Sequence, residues 1–389
     1  MAVAASGSQV KYYYGIEDAA GVIQPNETTP AWIPIRFNTA DPTRDTAQVD
    51  SEEINDSRQR VKSRQGTYSV AGSIAAELTF ASHDYLMQAA FQSTWVSQVT
   101  DTGITFDVDQ TDNSINDSDS NFIVAGFAVG DLVTVTGFTT SANNLVDGKI
   151  TALTAGKMTF GGTDGDALVT EAVGDTVTIA TVGDYLNVGE TVPRISILRR
   201  NTDTSVDTLY RGCRVADMSL AITLNTSALL TFNVIGESVE NYSYPVGSTV
   251  SAATTSEMMV PTIGYMKDGG TSQTILTDYS VDFSNSMEPL FSLFQRPAYG
   301  VSNGVFTANG SMATYQPDST LFDKFLDETE TDHIVKMIDL SGNYYRLILP
   351  DALYTQLSDP VSGAGAHIFT YTFTAGYEIP TTARMERSV

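Results

Sequence analysis

Residues able to carry acid, base or nucleophilic chemistry are sparse in this 389-residue chain and poorly spaced for it. The histidines are His83, His333 and His367, and none stands at the spacing of a zinc site or a serine-histidine-aspartate triad. No glycine-rich loop with its Lys-Ser or Lys-Thr is present to cradle a phosphate, and no nucleophile elbow surrounds a serine. Asp107, Asp109, Asp112, Asp117 and Asp119 have the density of a calcium loop. They lack the ligand order, the Gly and the closing Glu of an EF-hand, so a solvated acidic loop is the preferred reading. Asp164-Gly165-Asp166 reads as a turn. Carboxylate pairs for glycoside hydrolysis are defined in space, and nothing in the sequence selects one. The single cysteine, Cys213, excludes an internal disulfide and suits a small buried hydrophobe. The expectation is a protein without catalysis, cofactor or metal.

One charged pattern does suggest work. Arg58, Arg60, Lys62 and Arg64 fall on every second residue, just after an acidic patch at Asp50, Glu52 and Glu53. If extended, the segment shows four cations on one face. Three readings are open: a solvated loop, a self-association arm whose cations meet acidic surface on a neighbouring copy, or nucleic-acid contact. The last ranks lowest because the formal net charge is −25, a surface that repels phosphates and keeps a crowded protein soluble. The same charge is compatible with a wall past which DNA slides without sticking.

The elements that must position these residues read as strands. Gly, Thr, Ser and Tyr are abundant, long helical periodicity is missing, and no apolar run reaches the length of a membrane span. The first residues lack the basic head and apolar core of a signal peptide. Strands are expected at Val10 to Gly15 and Ala31 to Phe37, the latter at an edge or bulge because of Pro34. Residues 38–65 carry no sustained apolar pattern and mark an arm or disorder.

The decade Gly66 to Ala75, GTYSVAGSIA, returns at Gly304 to Ala313 as GVFTANGSMA. Gly66, Gly72 and Ser73 match Gly304, Gly310 and Ser311, and Tyr68 answers to Phe306. A Gly inside such a strand marks a bulge or a close backbone approach. About a dozen residues after each Gly-Ser comes a short helical segment, His83 to Phe91 and Ser319 to Leu326. Tyr210-Arg211 then runs into Ala216 to Met218 much as Tyr345-Arg346 runs into Asp351 to Leu353, and each half closes on an alternating strand ending in Gly236 or Gly376. This order implies one module used twice. Within the first module, residues 101–183 hold roughly a dozen acids against Lys149 and Lys157, in short strands with turn signals, as in a small inserted sandwich or barrel. The expected division is 1–100 with 184–245, the insert 101–183, and 246–389.

The series Gly72-Ser73 to Tyr85-Leu86, then Asn309 to Met312, Leu321 to Leu326, Leu340 to Asn343 with Leu349-Pro350, and Phe369 to Ala375 resembles the tail tube (major tail) proteins of long-tailed bacteriophages. The insert, with Phe127 to Asp131 and Val133 to Gly137, looks like the accessory, immunoglobulin-like β domains that decorate phage tails.

The resemblance implies all-β sandwich or barrel modules with one helix each, whose strands join those of neighbours into rings. The rings stack into a hollow conduit for the genome. A ring of six modules would need three copies of a two-module chain, with the inserts pointing outward and strands shared so that no sheet edge is left bare. Residues 38–65 match the arms that reach an adjacent subunit. The lumen would be sought at alternate residues of Gly66 to Thr79 and Gly304 to Tyr315, where carboxylates repel passing double-stranded DNA. Implied partners are further copies of the chain and the tail terminator, tape measure and baseplate proteins, within a virion after assembly in the host cytoplasm, with no membrane. A terminator or baseplate ring is the nearest alternative, and an extracellular carbohydrate-binding or adhesion protein the next.

Overall fold

In the computed structural model, residues 6–53, 59, 62–161, 167–204, 206–315, 318–360 and 367–389 are described. Strands β1 (Val10–Glu17), β2 (Ala31–Pro34), β3 (Thr39–Ala40), β4 (Thr43–Val49) and β5 (Arg64–Glu77) lead to helix α1 (Asp84–Phe91). Next come β6 (Thr100–Gly103), β7 (Phe106–Asp109), β8 (Ser114–Asp117), α2 (Phe122–Ala125), β9 (Leu132–Thr136), β10 (Gly148–Thr154), β11 (Lys157–Phe160) and β12 (Val177–Thr181). The chain continues through β13 (Asp184–Asn187), β14 (Arg194–Asn201), β15 (Asp207–Thr223), β16 (Leu229–Gly236) and β17 (Ser238–Tyr242). The remainder holds β18 (Thr249–Val250), β19 (Gly264–Asp268), β20 (Thr271–Ser272), β21 (Leu276–Ser284), β22 (Glu288–Leu290), β23 (Gly300–Ser302), β24 (Thr307–Thr314), α3 (Thr320–Leu326), β25 (Thr331–Ile338), β26 (Tyr344–Ser358), β27 (Phe369–Ala375) and β28 (Arg384–Arg387). The fold is all-β, and its sheets stay open, with no closed barrel among the described residues. No helix among them is long and apolar enough to cross a membrane.

The same antiparallel order occurs twice. In the first half it runs β1, β14, β15, β16, β5, β4, and in the second β19, β25, β26, β27, β24, β21. Register repeats as well as order. Starting from Gly72 against Gly310 and counting through the ladders, Val215 corresponds to Tyr354 and Ile197 to His333. The β15–β16 ladder slips between Val215 and Asp217, and β26–β27 slips between Tyr354 and Gln356. The β14–β15 ladder slips between Ile195 and Ile197, and β25–β26 between Thr331 and His333. Both irregularities therefore fall at equivalent places. The same counting corrects one expectation: Tyr210 corresponds to Leu349 rather than Tyr345, a difference of four residues. Likeness of residue pairs is a weaker guide to register than the hydrogen bonds themselves.

The frame buries one face. Val70 and Ile74 of β5, Phe232 and Leu230 of β16, Val281 and Phe283 of β21, and Met312 and Phe373 of the second half enter one continuous cluster. Helix α1 buries Leu86, Met87, Ala89, Ala90 and Phe91 in it, and Phe91 meets Phe283 and Phe306 at 5.3 and 6.0 Å. The two halves thus share a core. Residues 100–181 instead form a seven-stranded sheet ordered β6, β12, β9, β10, β11, β8, β7 around a separate cluster that includes Phe106, Phe122, Val135, Ile150 and Phe160. Strand β10 serves both ends of that sheet, pairing with β9 at Gly148–Lys149 and with β11 from Ile150 onward. Strands β6 and β8 and helix α2 escape sequence reading: each is four residues long, the two strands are polar (TDTG and SIND), and the single apolar turn FIVA is too short to show helical periodicity.

Candidate self-assembly surface

The residues with catalytic potential are scattered into structural duties. His83 and His333 are buried, and burial holds each imidazole neutral with its pKa down to about 4. His367 contacts Asp359 at the surface. Asp117 accepts hydrogen bonds from Thr105 Oγ1 at 2.8 Å and from the amides of Asp119 and Asn121, Asp109 caps the amide of Thr111, Asp107 takes the Asn116 amide and Asp112 meets Lys157. These carboxylates hold turns. Among the described residues, no group of three or more His, Cys, Asp or Glu is placed to hold a metal ion.

The repeated decade is where strands crowd. A Cβ on Gly72 would stand 2.5 Å from Pro42 Cα, and one on Gly310 would stand 2.3 Å from the Phe373 ring and 2.4 Å from the Ser280 carbonyl. Each Gly therefore admits a neighbouring chain rather than a bulge, since neither β5 nor β24 slips register there. The following serine ties the same strand: Ser73 Oγ donates to Asp41 at 3.0 Å, and Ser311 Oγ meets Ser280 Oγ at 2.9 Å. Tyr68 and Phe306 are half-buried on the core side. Gly66 and Gly304 stand where the chain enters β5 and β24 beside Val49 and Ser286.

Residues 38–65 are largely a hairpin. Strands β3 and β4 run along β5 in a single register from Thr39↔Ala75 to Thr46↔Tyr68, slipping once before Val49↔Arg64. Strand β4, TRDTAQV, exposes both faces, so backbone hydrogen bonds rather than an apolar stripe hold it. That is why its composition hides it. Glu52, Glu53, Lys62 and Arg64 are exposed at the far end of this hairpin and Asp50 is half-buried there, while Arg58 and Arg60 lie outside the described residues. Arg44 lies over the Tyr68 ring at 3.8 Å.

A junction joins the halves inside the chain. Strand β21 adds to β15 from Asp217↔Ser284 to Thr223↔Asp278, with Ser284 Oγ donating to Asp217 and Thr223 Oγ1 to Asp278, both at 2.6 Å. The equivalent edges elsewhere stay open. Strand β4 pairs only with β5, and β26 beyond Tyr354 pairs only with β27, among the described residues. Opposite the core, the frame's other face is polar, with Asp217, Asn233, Asp282, Asn309 and Thr374 half or fully exposed. Partial burial and the charge of Asp217 push the Asp282 carboxyl above its usual range, as expected where acids share one sheet face.

The model of the phage tail tube protein family matches residues 7–375. This chain belongs to that family. No curated protein matches the chain. Tail tube proteins are structural, and this chain is a structural member of that family.

On the tail tube frame, the 100–181 sheet is anchored by charges that sequence reading missed. Asp131 meets Arg384 at 2.5 Å and Asp147 meets Arg346 at 2.5 Å, while Arg346 Nε also donates to Glu386 at 2.7 Å. Arg346, Glu386 and Arg384 are essentially inaccessible, so each charge depends on its partners. Leu132 packs on Ile334 and Ile348 beside them. Asp131 and Asp147 lie 253 and 199 positions from their arginines, beyond the reach of any local signal.

Proposed function

We propose that this chain builds a phage tail tube as stacked rings, three copies to a ring, each copy supplying two equivalent modules. Residues 1–100 with 184–245 form one module and 246–389 the other, with 101–183 as an accessory domain on the outside. The observation that carries the reading is the strand order repeated with its two register slips in a chain of this family. Six such modules close a pseudo-sixfold ring, and closure removes the bare sheet edges that invite uncontrolled aggregation. The polar, acidic face of the frame lines the channel, where it repels DNA phosphates and lets the genome pass without adhesion. The exposed hairpin residues Lys62 and Arg64 reach neighbouring copies. The tail terminator, tape measure and baseplate proteins cap and fill the tube.

Electron microscopy of the purified chain with native mass spectrometry tests this reading. Stacked rings of three chains, with the Asp217 face on the channel, are expected. Rings of six chains would retain the tube and overturn the two-module ring, and a chain that stays monomeric when concentrated would overturn the tube itself.

A further inference from the structure

We infer that β4 of one copy adds to the open edge of β26 in the next, with Thr43 opposite Ser358, remaking between copies the junction that β21 makes with β15 inside one. This rests on the tube reading and supplies its contact. Counting through the ladders from Gly72 and Gly310 makes Thr43, Arg44 and Asp45 the counterparts of Asp282, Phe283 and Ser284. It makes Gln356, Leu357 and Ser358 the counterparts of Asp217, Met218 and Ser219. Inside the chain those residues pair as Asp217↔Ser284, Met218↔Phe283 and Ser219↔Asp282. The transferred register sets Gln356 opposite Asp45, Leu357 opposite Arg44 and Ser358 opposite Thr43.

The side chains agree with that register. Ser284 hydrogen-bonds Asp217 within the chain, and between copies the Gln356 amide is left to donate to Asp45. Phe283 stacks with Phe306 at 6.0 Å, and at the equivalent place Arg44 lies over Tyr68. The helices differ as an unfinished contact should. Phe91 of α1 is fully buried beneath Phe283 and Phe306, whereas Phe322 and Leu326 of α3 remain exposed. Polar side chains stand at the corresponding places. Just past α1, Gln92 exchanges hydrogen bonds with Asn303, which follows β23 in the connection from β21 to β24, at 2.7 and 2.8 Å. Just past α3 stand exposed Asp327, Glu328 and Glu330, and the end of the β4–β5 hairpin offers Lys62 and Arg64 as cations beside Glu52 and Glu53. The partner is a second copy, joined head to tail, and such a contact closes into a ring.

Within the chain, Asn285 donates its amide to Ala216 at 2.9 Å and Leu224 donates to Thr277 at 3.1 Å, which makes Ser219↔Asp282 a non-hydrogen-bonded pair. Thr43 and Ser358 inherit that position, where Cα atoms approach to about 4.5 Å, within disulfide range. The test is the double variant Thr43→Cys with Ser358→Cys, assembled under reduction and then oxidised. Cys213 is buried and its thiol is pushed up by burial, so it stays silent. Covalent multimers are expected on non-reducing gels, at about ten times the yield of the slipped pair Thr43→Cys with Gln356→Cys, whose positions are diagonal and too far apart. Tubes in which the first pair does not cross-link, or cross-links no better than the slipped pair, overturn the junction and leave the tube reading standing. A wild-type chain that forms no tube overturns both. If the double variant fails to assemble, hydrogen exchange on wild-type tubes decides: amides of 353–358 protected relative to the monomer support the junction, and equal exchange overturns it.

Discussion

At the scale of single residues, His333 shows how a titratable group becomes part of the fold. Its Nε2 meets Tyr354 Oη at 3.1 Å, and Tyr354 in turn donates to Asp268 at 3.1 Å, which also accepts from Lys324 and Thr331. Burial first, then the Lys324 charge, depress its pKa to about 4, against the opposing pull of Asp268. The folded pKa lies below the unfolded value of about 6.5, so the stability tied to neutral His333 is complete above that pH. It is lost as pH falls toward 4. His333→Gln, which keeps one hydrogen bond, is expected to remove roughly 2–3 kcal/mol of the acid-induced loss of stability between pH 7 and pH 4. Urea unfolding at both pH values measures it, and an unchanged pH dependence in the variant would refute the assignment. Its spacing along the chain was enough to doubt a zinc or triad role for this histidine. Its tyrosine partners come from other strands and were not legible.

At the scale of elements, β4 carries the sharpest consequence. Asp41 donates its amide to Ser73 on β5 at 3.0 Å, so by strand alternation the amide of Arg44 points to the open edge. Pro42 already withholds a donor from that edge without cost to the β4–β5 ladder. Arg44→Pro is therefore expected to leave the monomer folded, with its melting temperature lowered by a few degrees for the lost Tyr68 contact, and to cut tube assembly about tenfold or more. Light scattering during assembly reads this directly; normal polymerisation of a folded Arg44→Pro chain would exclude β4 as the joining strand. Strand β5 and its copy β24 were legible because alternation of large and small residues is local. Strand β4 was not, because an exposed strand held by backbone hydrogen bonds leaves no apolar signature.

At the scale of the whole molecule, the insert is tethered on two sides. Val96 bridges Tyr185 where the chain leaves and returns, and Asp131 and Asp147 reach Arg384 and Arg346 of the second half. Replacing residues 97–182 by a short linker should still give tubes, of smaller outer diameter in micrographs. It should also destabilise the chain by roughly 3–5 kcal/mol, since buried arginines lose their carboxylates. Arg384→Met in the shortened chain should recover part of that loss. A shortened chain that folds but never polymerises would show that the insert takes part in assembly. Arg346 and Glu386 illustrate why this anchor was hidden: a charged residue in sequence looks like surface until its partner is placed beside it.

The sequence by itself determined the all-β class, the two Gly-Ser strands with their helices, the scarcity of catalytic groups and the likeness to tail tube proteins. Each of these depends on side chains within a few positions of one another or on composition. The tertiary structure alone decided the four-residue offset between the halves, the strand hidden in residues 38–65, the pairing of β21 with β15 and the charged anchor of the insert. Those depend on which backbone edges meet. Every residue but proline offers an edge the same amide and carbonyl, so the partner is chosen by what packs on the faces of the completed sheet.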